Sequence, residues 1–471
     1  MIEACILFVC SFLPLYFHEA DFFAFLSSSL ITACIGELLL VIGGRRSKDN
    51  PLSRRDGYIV VTASWIVFSI FGALPYFISG HISSYTDAFF ETMSGFTTTG
   101  ASIIRNIEVM PHGLLFWRSL TQWIGGLGIV FFTVAVLPIF GVGDVQLFAA
   151  EATGPTHGKL HPRISVSGRW ILFVYAVLTI ACIISLEVCG MGIFDSINHA
   201  FSTISTGGYS TRNTSVAYFQ SPKIEYVITL FMFLSGINFG LLFFLLFKGK
   251  IKKMFLDTEF NWYLLTTCLM VLLVGIGIFV GTNEGVEESL RHSLFQVVSA
   301  ITSTGFTNTN YTIWPPSVWM LLGFCMYMGG CAGSTTGGMK SIRTAILFKT
   351  LRNEFHRIIH PNAILPIRIN GKVVPQSTKQ TVLAFTIFYL GLILISWLFF
   401  MIMGVNFTDS YGATVSFIGN TGFAIGSLGT ETPWGDLPTI CKWYGSLLML
   451  IGRLEIFSVL IITIPSFWKY R

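Results

Sequence analysis

The stretch Phe96-Thr97-Thr98-Thr99-Gly100 lies between two long apolar segments, and three related stretches follow it along the chain. These are Ile204-Ser205-Thr206-Gly207, Thr302-Ser303-Thr304-Gly305 and Gly419-Asn420-Thr421-Gly422. Each is a short run of hydroxyl or amide residues that ends in glycine, and the terminal glycines are 107, 98 and 117 residues apart (100 to 207, 207 to 305 and 305 to 422). A repeat of this length predicts one structural unit copied four times, and four copies around an axis would form a ring of loops that can line a pore.

The residue types of these stretches suit an ion that exchanges its hydration shell for protein oxygens. Rings of backbone carbonyls supply such oxygens in potassium filters, and glycine adopts the unusual backbone angles that an inward turn requires. A single stretch of this kind would be an ordinary loop, but four in the same setting favour an ion filter. The predicted ion-binding residues are the last three of each stretch: Thr98, Thr99, Gly100, Ser205, Thr206, Gly207, Ser303, Thr304, Gly305, Asn420, Thr421 and Gly422.

Composition indicates a membrane protein. The chain is 53% hydrophobic and only 11% charged, whereas soluble domains carry about 25% charged residues. The nine cysteines and nine histidines show no metal-binding spacing, so the sequence predicts neither a zinc site nor a covalent cofactor. We therefore expect an all-α polytopic membrane protein.

Ten apolar segments are close to the length of about 20 residues that crosses a bilayer. They are 2–17, 22–44, 58–78, 114–140, 168–189, 224–247, 262–281, 318–347, 381–404 and 442–467. This pattern predicts two N-terminal transmembrane helices within 1–50, followed by four repeats of helix, pore loop and helix around a pseudo-fourfold pore. The expected repeats are 51–145, 146–250, 251–350 and 351–471.

Positive charge predicts the orientation. Five links contain 22 of the 29 Lys and Arg residues, namely 45–55, 159–169, 248–253, 340–379 and 469–471. Cytoplasmic loops carry such an excess of positive charge, so we expect both termini in the cytoplasm and the filter loops facing outward. The net charge of +5 is then explained by membrane insertion rather than by nucleic-acid binding.

A short helix is expected before each loop. Asp87, Asp195 and Asp409 lie near the start of three of these helices, where aspartate caps free N–H groups and suits the positive end of the helix dipole. The negative end of each dipole would then face the pore and favour a cation.

The whole chain resembles the Trk/Ktr/HKT superfamily of potassium transporters, and most of all the bacterial Trk-type potassium uptake membrane subunit. Besides the four loops, the resemblance is carried by four stretches. They are Ser53-Arg54-Arg55-Asp56-Gly57-Tyr58, Gln122-Trp123-Ile124-Gly125-Gly126-Leu127-Gly128, Gly329-Gly330-Cys331-Ala332-Gly333-Ser334-Thr335-Thr336-Gly337-Gly338-Met339-Lys340 and Gly452-Arg453-Leu454-Glu455-Ile456-Phe457.

The resemblance implies a multi-pass protein of the bacterial cytoplasmic membrane that takes up potassium and is not an enzyme. It also implies a homodimer with one pore in each chain, and a separate cytosolic regulatory subunit that binds a nucleotide such as NAD or ATP. In the plant relatives, serine in place of the first filter glycine accompanies sodium transport, so glycine in all four loops favours potassium.

The glycine-rich stretch is the expected gate, because the resemblance places an interrupting loop of the third repeat beneath the filter. Unwound backbone at membrane depth is tolerated where it lines a cavity, and a buried arginine in the last span needs a partner inside the protein. We expect loop carbonyls or hydroxyls to be that partner, since Glu455 is only two residues away on the helix. The predicted gate residues are Gly329, Gly330, Gly333, Ser334, Thr335, Thr336, Gly337, Gly338, Lys340 and Arg453.

Other interpretations of these motifs are weaker. A phosphate-binding P-loop requires Gly-Lys at the end of its pattern, whereas Met339 separates Gly338 from Lys340. Ser334 has no histidine partner in a nearby apolar span for a protease mechanism. The main alternative is a secondary transporter that couples cation movement to protons or sodium, since such proteins also use broken helices. A sensor or scaffold without transport would need no hydroxyl runs.

Overall fold

The computed structural model describes residues 1–43, 54–131, 161–363, 365–423, 425–428 and 434–469. Within these residues, five helices are long and apolar enough to cross a membrane, and two further helix pairs form apolar spans that are bent by 109° and 119°. The predicted helical, multi-pass class is confirmed. The basic link 45–53, the segment 132–140 and the boundaries expected near 50 and 145 lie outside the described residues.

The two N-terminal segments differ in length. The first is a pair of short helices, Ile2–Cys10 and Phe12–Tyr16, and the second is the long helix Phe22–Gly43. The Ser29 hydroxyl donates to the Ala4 carbonyl at 2.8 Å, so the short pair packs against the long helix although it is too short to be a full span.

Each repeat has the same order of elements: an outer helix, a short helix, a loop and an inner helix. The short helix is the one directly before the loop, namely Tyr85–Phe96, Ile193–Ile204, Val286–Ile301 and Phe407–Gly419 in the four repeats. The first repeat contains Arg54–Gly72, Leu74–Ile78, Tyr85–Phe96 and His112–Phe131. The second contains His161–Val188, Ile193–Ile204, Pro222–Ser235 and Phe239–Lys248. The third contains Ile251–Phe255, Thr258–Gly281, Val286–Ile301, Pro316–Tyr327 and Ser341–Ile359. The fourth contains Gln376–Ile402, Phe407–Gly419, Thr439–Arg453, Phe457–Thr463 and Pro465–Lys469.

One hydrophobic core joins the four repeats. The ring of Phe90 in the first short helix contacts Phe417 in the fourth with centroids 5.7 Å apart, and the Trp117 indole donates to the Gly72 carbonyl at 3.0 Å. Each short helix packs against the inner helix of its own repeat and that of a neighbouring repeat, and this packing positions the loop that follows it.

Among the described residues, the inner helix is broken in the second, third and fourth repeats, whereas the sequence predicted a break only in the third. In the second repeat the break lies at 236–238, where Asn238 accepts from the backbone N–H groups of Gly240 and Leu241 and caps a new helix. In the fourth repeat Glu455 and Ile456 have positive φ values of 56° and 40°. The predictions of continuous spans over 224–247 and 442–467 are wrong, because a short turn with one polar side chain, Asn238 or Glu455, hardly lowers the hydropathy of the apolar segment around it.

The long basic link after the third repeat is structured. A two-stranded antiparallel hairpin pairs Arg368–Ile369 with Lys372–Val373, and its turn residue Asn370 donates to the Asp257 carboxylate at 2.8 Å. The sequence did not predict this hairpin. The expected repeat boundary at 350 falls inside the helix Ser341–Ile359.

The three aspartates do not cap the short helices as predicted. Each lies inside the first turn, and its carboxylate contacts a distant segment: Asp87 accepts from Lys442 at 2.6 Å, Asp195 from Arg212 at 2.9 Å, and Asp409 from the Ser427 backbone N–H at 2.7 Å. Because each carboxylate lies past the cap position, it connects a distant segment to the short helix instead of capping it. It still interacts favourably with the positive end of the helix dipole.

Candidate functional site: a ring of four loops with a fifth loop against it

The four loops, which we call the axial loops, share one backbone path. They are residues 97–100, 205–208, 302–305 and 419–422. The second residue of each has a left-handed conformation, with φ between 50° and 54° at Thr98, Thr206, Ser303 and Asn420. The fourth residue is a glycine with φ between 76° and 84°, namely Gly100, Gly208, Gly305 and Gly422. In the second loop this glycine is Gly208 and not Gly207, so the predicted register there is wrong by one residue.

The axial loops form a closed ring through close backbone contacts. A Cβ atom on Gly100 would lie 2.1 Å from the Gly207 carbonyl oxygen, and one on Gly208 would lie 1.9 Å from that of Thr304. The next contacts close the circuit, because Cβ atoms on Gly305 and Gly422 would lie 1.9 Å and 2.2 Å from the carbonyl oxygens of Thr421 and Thr99. Each glycine thus abuts the residue before the equivalent glycine of the next loop, as pseudo-fourfold symmetry requires.

Each axial loop is held by its own short helix. The third loop residue donates its backbone N–H to the carbonyl of a serine, at distances of 2.8–2.9 Å. These serines are Ser94, Ser202, Ser299 and Ser416, and each lies six residues before its glycine. Sequence analysis missed them, although aligning the repeats on the serines would have selected Gly208.

Two side chains tie neighbouring repeats together at the ring. Gln122 of the first inner helix donates to the Gly207 carbonyl at 2.6 Å and accepts from the Tyr209 N–H at 3.1 Å. Asn420 of the fourth loop donates to the Thr99 hydroxyl at 2.9 Å. Both side chains are fully buried, so the ring is a rigid assembly rather than four independent loops.

The glycine-rich loop 329–338 contacts the ring at the N-terminal ends of the axial loops. The Thr335 hydroxyl donates to the Ile204 carbonyl at 3.1 Å, and the Gly337 N–H donates to the Ser303 hydroxyl at 2.6 Å. A Cβ on Gly337 would lie 2.3 Å from the Gly419 carbonyl oxygen. The loop therefore touches the second, third and fourth axial loops or the helix ends that lead into them.

Arg453, in the inner helix of the fourth repeat, connects this loop to the first repeat by hydrogen bonds. Its guanidinium donates to the Thr335 carbonyl at 2.7 Å and to the Gly125 carbonyl at 3.2 Å, and the residue is only 2% exposed. The predicted contact between Arg453 and a loop carbonyl is present. Glu455 is not its partner, as expected, but for another reason: it lies in the break after the helix, with a φ of 56°, and is bound to Arg343.

The ends of the glycine-rich loop are fixed by buried charged groups. The Glu259 carboxylate accepts from the Ala332 N–H at 2.6 Å and from the Ile342 N–H at 3.2 Å. Lys340, which is buried rather than part of the exposed basic link, donates to the Thr336 carbonyl. Glu259 was missed by sequence analysis, because a single acid in an apolar helix carries no spacing signal.

All the predicted filter and gate residues therefore gather in one region at the junction of the four repeats. The glycine-rich stretch contacts the axial loops directly, and Arg453 contacts the stretch. Among the described residues, no group of three or more His, Cys, Asp or Glu side chains could hold a metal ion. The oxygens available at the ring are backbone carbonyls and hydroxyls, which are the ligands of a hard, weakly held cation.

A helical membrane protein whose four repeats close one ring of loops has the architecture of a membrane transport protein. The chain is a member of the TrkH family, described as cation transport protein, whose family model matches residues 22–470. The prediction of a transport protein rather than an enzyme is confirmed by this membership.

Named relatives agree over nearly the whole chain. The chain is 36% identical over 449 residues to the Trk system potassium uptake protein TrkH of Salmonella typhimurium, which covers 95% of this chain and 92% of that protein. It is 34% identical over 461 residues to the Trk system potassium uptake protein TrkG of Escherichia coli, covering 97% and 93%. The crystal structure of the potassium transporter TrkH from Vibrio parahaemolyticus matches with a TM-score of 0.89 and 32% identity, over 99% of this chain and 97% of that one.

The register of the second loop gives a testable difference between two adjacent glycines. A methyl group on Gly208 meets the Thr304 backbone, and φ is +76°. One on Gly207 meets the end of the Gln122 side chain, which can shift. We expect Gly208→Ala to destabilise the protein by about 1–3 kcal/mol more than Gly207→Ala. Thermal unfolding of both purified variants measures this, and a more harmful Gly207→Ala would refute the register.

Proposed function

We propose that the protein carries potassium into the cell through the ring of axial loops, with backbone oxygens as the selectivity filter. The closed circuit of contacts between the four loops is the observation that carries this proposal. The names of the relatives support potassium as the ion. The four repeats share one element order and one direction of ring contact, which favours a pore over an inverted-repeat transporter.

The proposal extends to cellular context. We place the protein in the bacterial cytoplasmic membrane, with both termini in the cytoplasm and the ring towards the outside, because the basic links alternate with the axial loops along the sequence. A homodimer with one pore per chain and a soluble nucleotide-binding regulator, binding NAD or ATP, complete the assembly.

The filter proposal is tested by Gly100→Ser in liposomes that contain the purified protein. A serine Cβ would press on the Gly207 carbonyl oxygen at 2.1 Å, and φ is +84°, so the ring has to widen. We expect the preference for K⁺ and Rb⁺ over Na⁺ to fall at least about fivefold, the factor that corresponds to roughly 1 kcal/mol.

Matched controls separate transport classes in the same assay. Uptake is measured with and without an imposed proton gradient, and a requirement for the gradient would favour coupled secondary transport over the pore. An unchanged K⁺ over Na⁺ preference in a folded Gly100→Ser variant would refute the filter assignment.

We also propose that the glycine-rich loop and Arg453 form the gate. The loop contacts the third and fourth axial loops and the end of the helix that leads into the second, and Arg453 bridges it to the first repeat through Gly125. A positive charge at this position repels cations. An arginine that is buried without an ion pair costs free energy, which its contacts with the Thr335 and Gly125 carbonyls offset. Opening then consists of withdrawing the loop and its arginine from the ring.

Replacing Arg453 with alanine should raise cation flux. Unit charges a few ångströms apart in protein interact by several kcal/mol at most, so we expect an increase of about tenfold or more. Lys442→Met is the matched control, because Lys442 lies on the same helix, is buried and pairs with Asp87 away from the loop. Flux that falls or stays equal in a folded Arg453→Ala protein, or rises equally in the control, contradicts the gate.

The regulator is proposed to dock on two basic surfaces, one around residues 248–253 and one around residues 349–357. The second lies on the helix Ser341–Ile359, which directly follows the glycine-rich loop and Lys340. Reversing Lys250, Lys252 and Lys253 to glutamate should weaken co-purification with the soluble partner at least about tenfold, because charge complementarity governs such encounters. Unchanged binding, with normal membrane insertion, would assign these lysines to topology alone.

A further inference from the structure

The segment that leaves each axial loop is fastened to its own short helix, and three repeats use the same position for this. The position lies nine residues before the loop glycine (91 to 100, 199 to 208 and 296 to 305). It is occupied by Glu91, His199 and Gln296, all of which are at most 1% exposed. We call these three side chains the braces.

The brace of the first repeat is charged. Glu91 accepts from the Ser102 hydroxyl at 3.0 Å and from the Ile103 N–H at 2.8 Å, just after the loop. Its charge is balanced by Arg118 at 2.9 Å, and Arg118 also donates to the Ser210 carbonyl at 3.0 Å in the exit of the second loop. The brace thus fixes two neighbouring exits at once.

The brace of the second repeat is a histidine with a defined tautomer. Nδ1 of His199 lies 2.8 Å from the Asp195 carbonyl, which can only accept, so this nitrogen carries the hydrogen. In the neutral ring Nε2 then accepts from the Ser210 hydroxyl at 3.0 Å. Ser210 is two residues past Gly208, the same offset as Ser102 past Gly100.

The third and fourth repeats complete the comparison. Gln296 donates to the Asn308 side-chain oxygen at 3.2 Å, and Asn308 donates to Glu225 at 2.6 Å. In the fourth repeat the position is Ala413, and the exit is held one turn earlier by Asp409, which accepts from the Ser427 N–H and hydroxyl. Four different residues therefore serve one geometric task.

We propose that Glu91, His199 and Gln296 are positioning residues that set the width of the ring and hence its choice between K⁺ and Na⁺. None of them hydrogen-bonds to the four residues of its own axial loop through its side chain; each acts on the exit segment that follows. Selectivity among alkali cations depends on the spacing and number of the coordinating oxygens. Carbonyl oxygens that face one another repel, and side chains that hold the exits in place oppose the resulting distortion. The inference rests on the filter proposal.

The second repeat offers the cleanest test, because the residues of the other repeats serve as replacements. His199→Gln introduces the residue of the third repeat and His199→Ala that of the fourth. In liposomes containing purified protein, His199→Ala should lower the K⁺ over Na⁺ flux ratio about fivefold, as loss of one buried hydrogen bond implies. His199→Gln should restore most of the ratio.

Ser210→Ala removes the other partner of the same contact, together with the hydrogen bond that the Ser210 hydroxyl accepts from the Arg212 N–H at 3.0 Å. It should lower the flux ratio at least as much as His199→Ala, and the double variant should show no further loss beyond Ser210→Ala, since both variants remove the His199–Ser210 hydrogen bond. A flux ratio that stays at the wild-type value in Ser210→Ala overturns the proposal, whatever happens to thermal stability. If Gly100→Ser alters the ratio while Ser210→Ala does not, the braces fail and the filter stands; if neither alters it, both fail.

Discussion

In the ring, the backbone of each loop lies closer to the next loop than a residue with a side chain would allow. Four hypothetical Cβ atoms would lie 1.9–2.2 Å from carbonyl oxygens of the neighbouring loop, a distance at which only glycine fits. Because the contacts run from each loop to the next and return to the first, no loop can take this shape without the other three. The serine carbonyls, Gln122 and Asn420 then fix the circuit to the surrounding helices. The core that spans all four repeats follows from this requirement for one shared centre.

The second constraint is the cost of burying charge. Arg453 is buried without an acidic partner, and two backbone carbonyls accept from its terminal nitrogens while its Nε has no hydrogen-bond partner. Those carbonyls are available because the third inner helix is interrupted and Gly125 packs tightly on Phe96. The break after Arg453 and the glycine-rich loop are thus parts of one arrangement, in which each irregular segment satisfies the polar groups of the other.

Much of this could be predicted from the sequence. Composition and apolar segments established the helical membrane class, and the glycine-ended runs located the axial loops. The register of the second loop was missed because Gly207 and Gly208 both fit a run that ends in glycine; the backbone angle of Gly208 and its distance of six residues from Ser202 distinguish them. The breaks at 236–238 and 454–456 escaped because a contact such as that of Asn238 with the Ala332 carbonyl, 2.6 Å, joins residues far apart in sequence. The braces were not predicted for another reason: Glu91, His199 and Gln296 occupy the same position in their repeats but are three different residue types.

The position of a bound ion tests the central claim most directly. We expect rubidium to bind at the same sites as potassium. It can be located by its anomalous X-ray scattering in crystals grown with a rubidium salt. We predict a rubidium peak enclosed by the axial loops, beside the backbone oxygens of Thr99, Gly207, Thr304 and Thr421. Rubidium bound at other places with none inside the ring would contradict it.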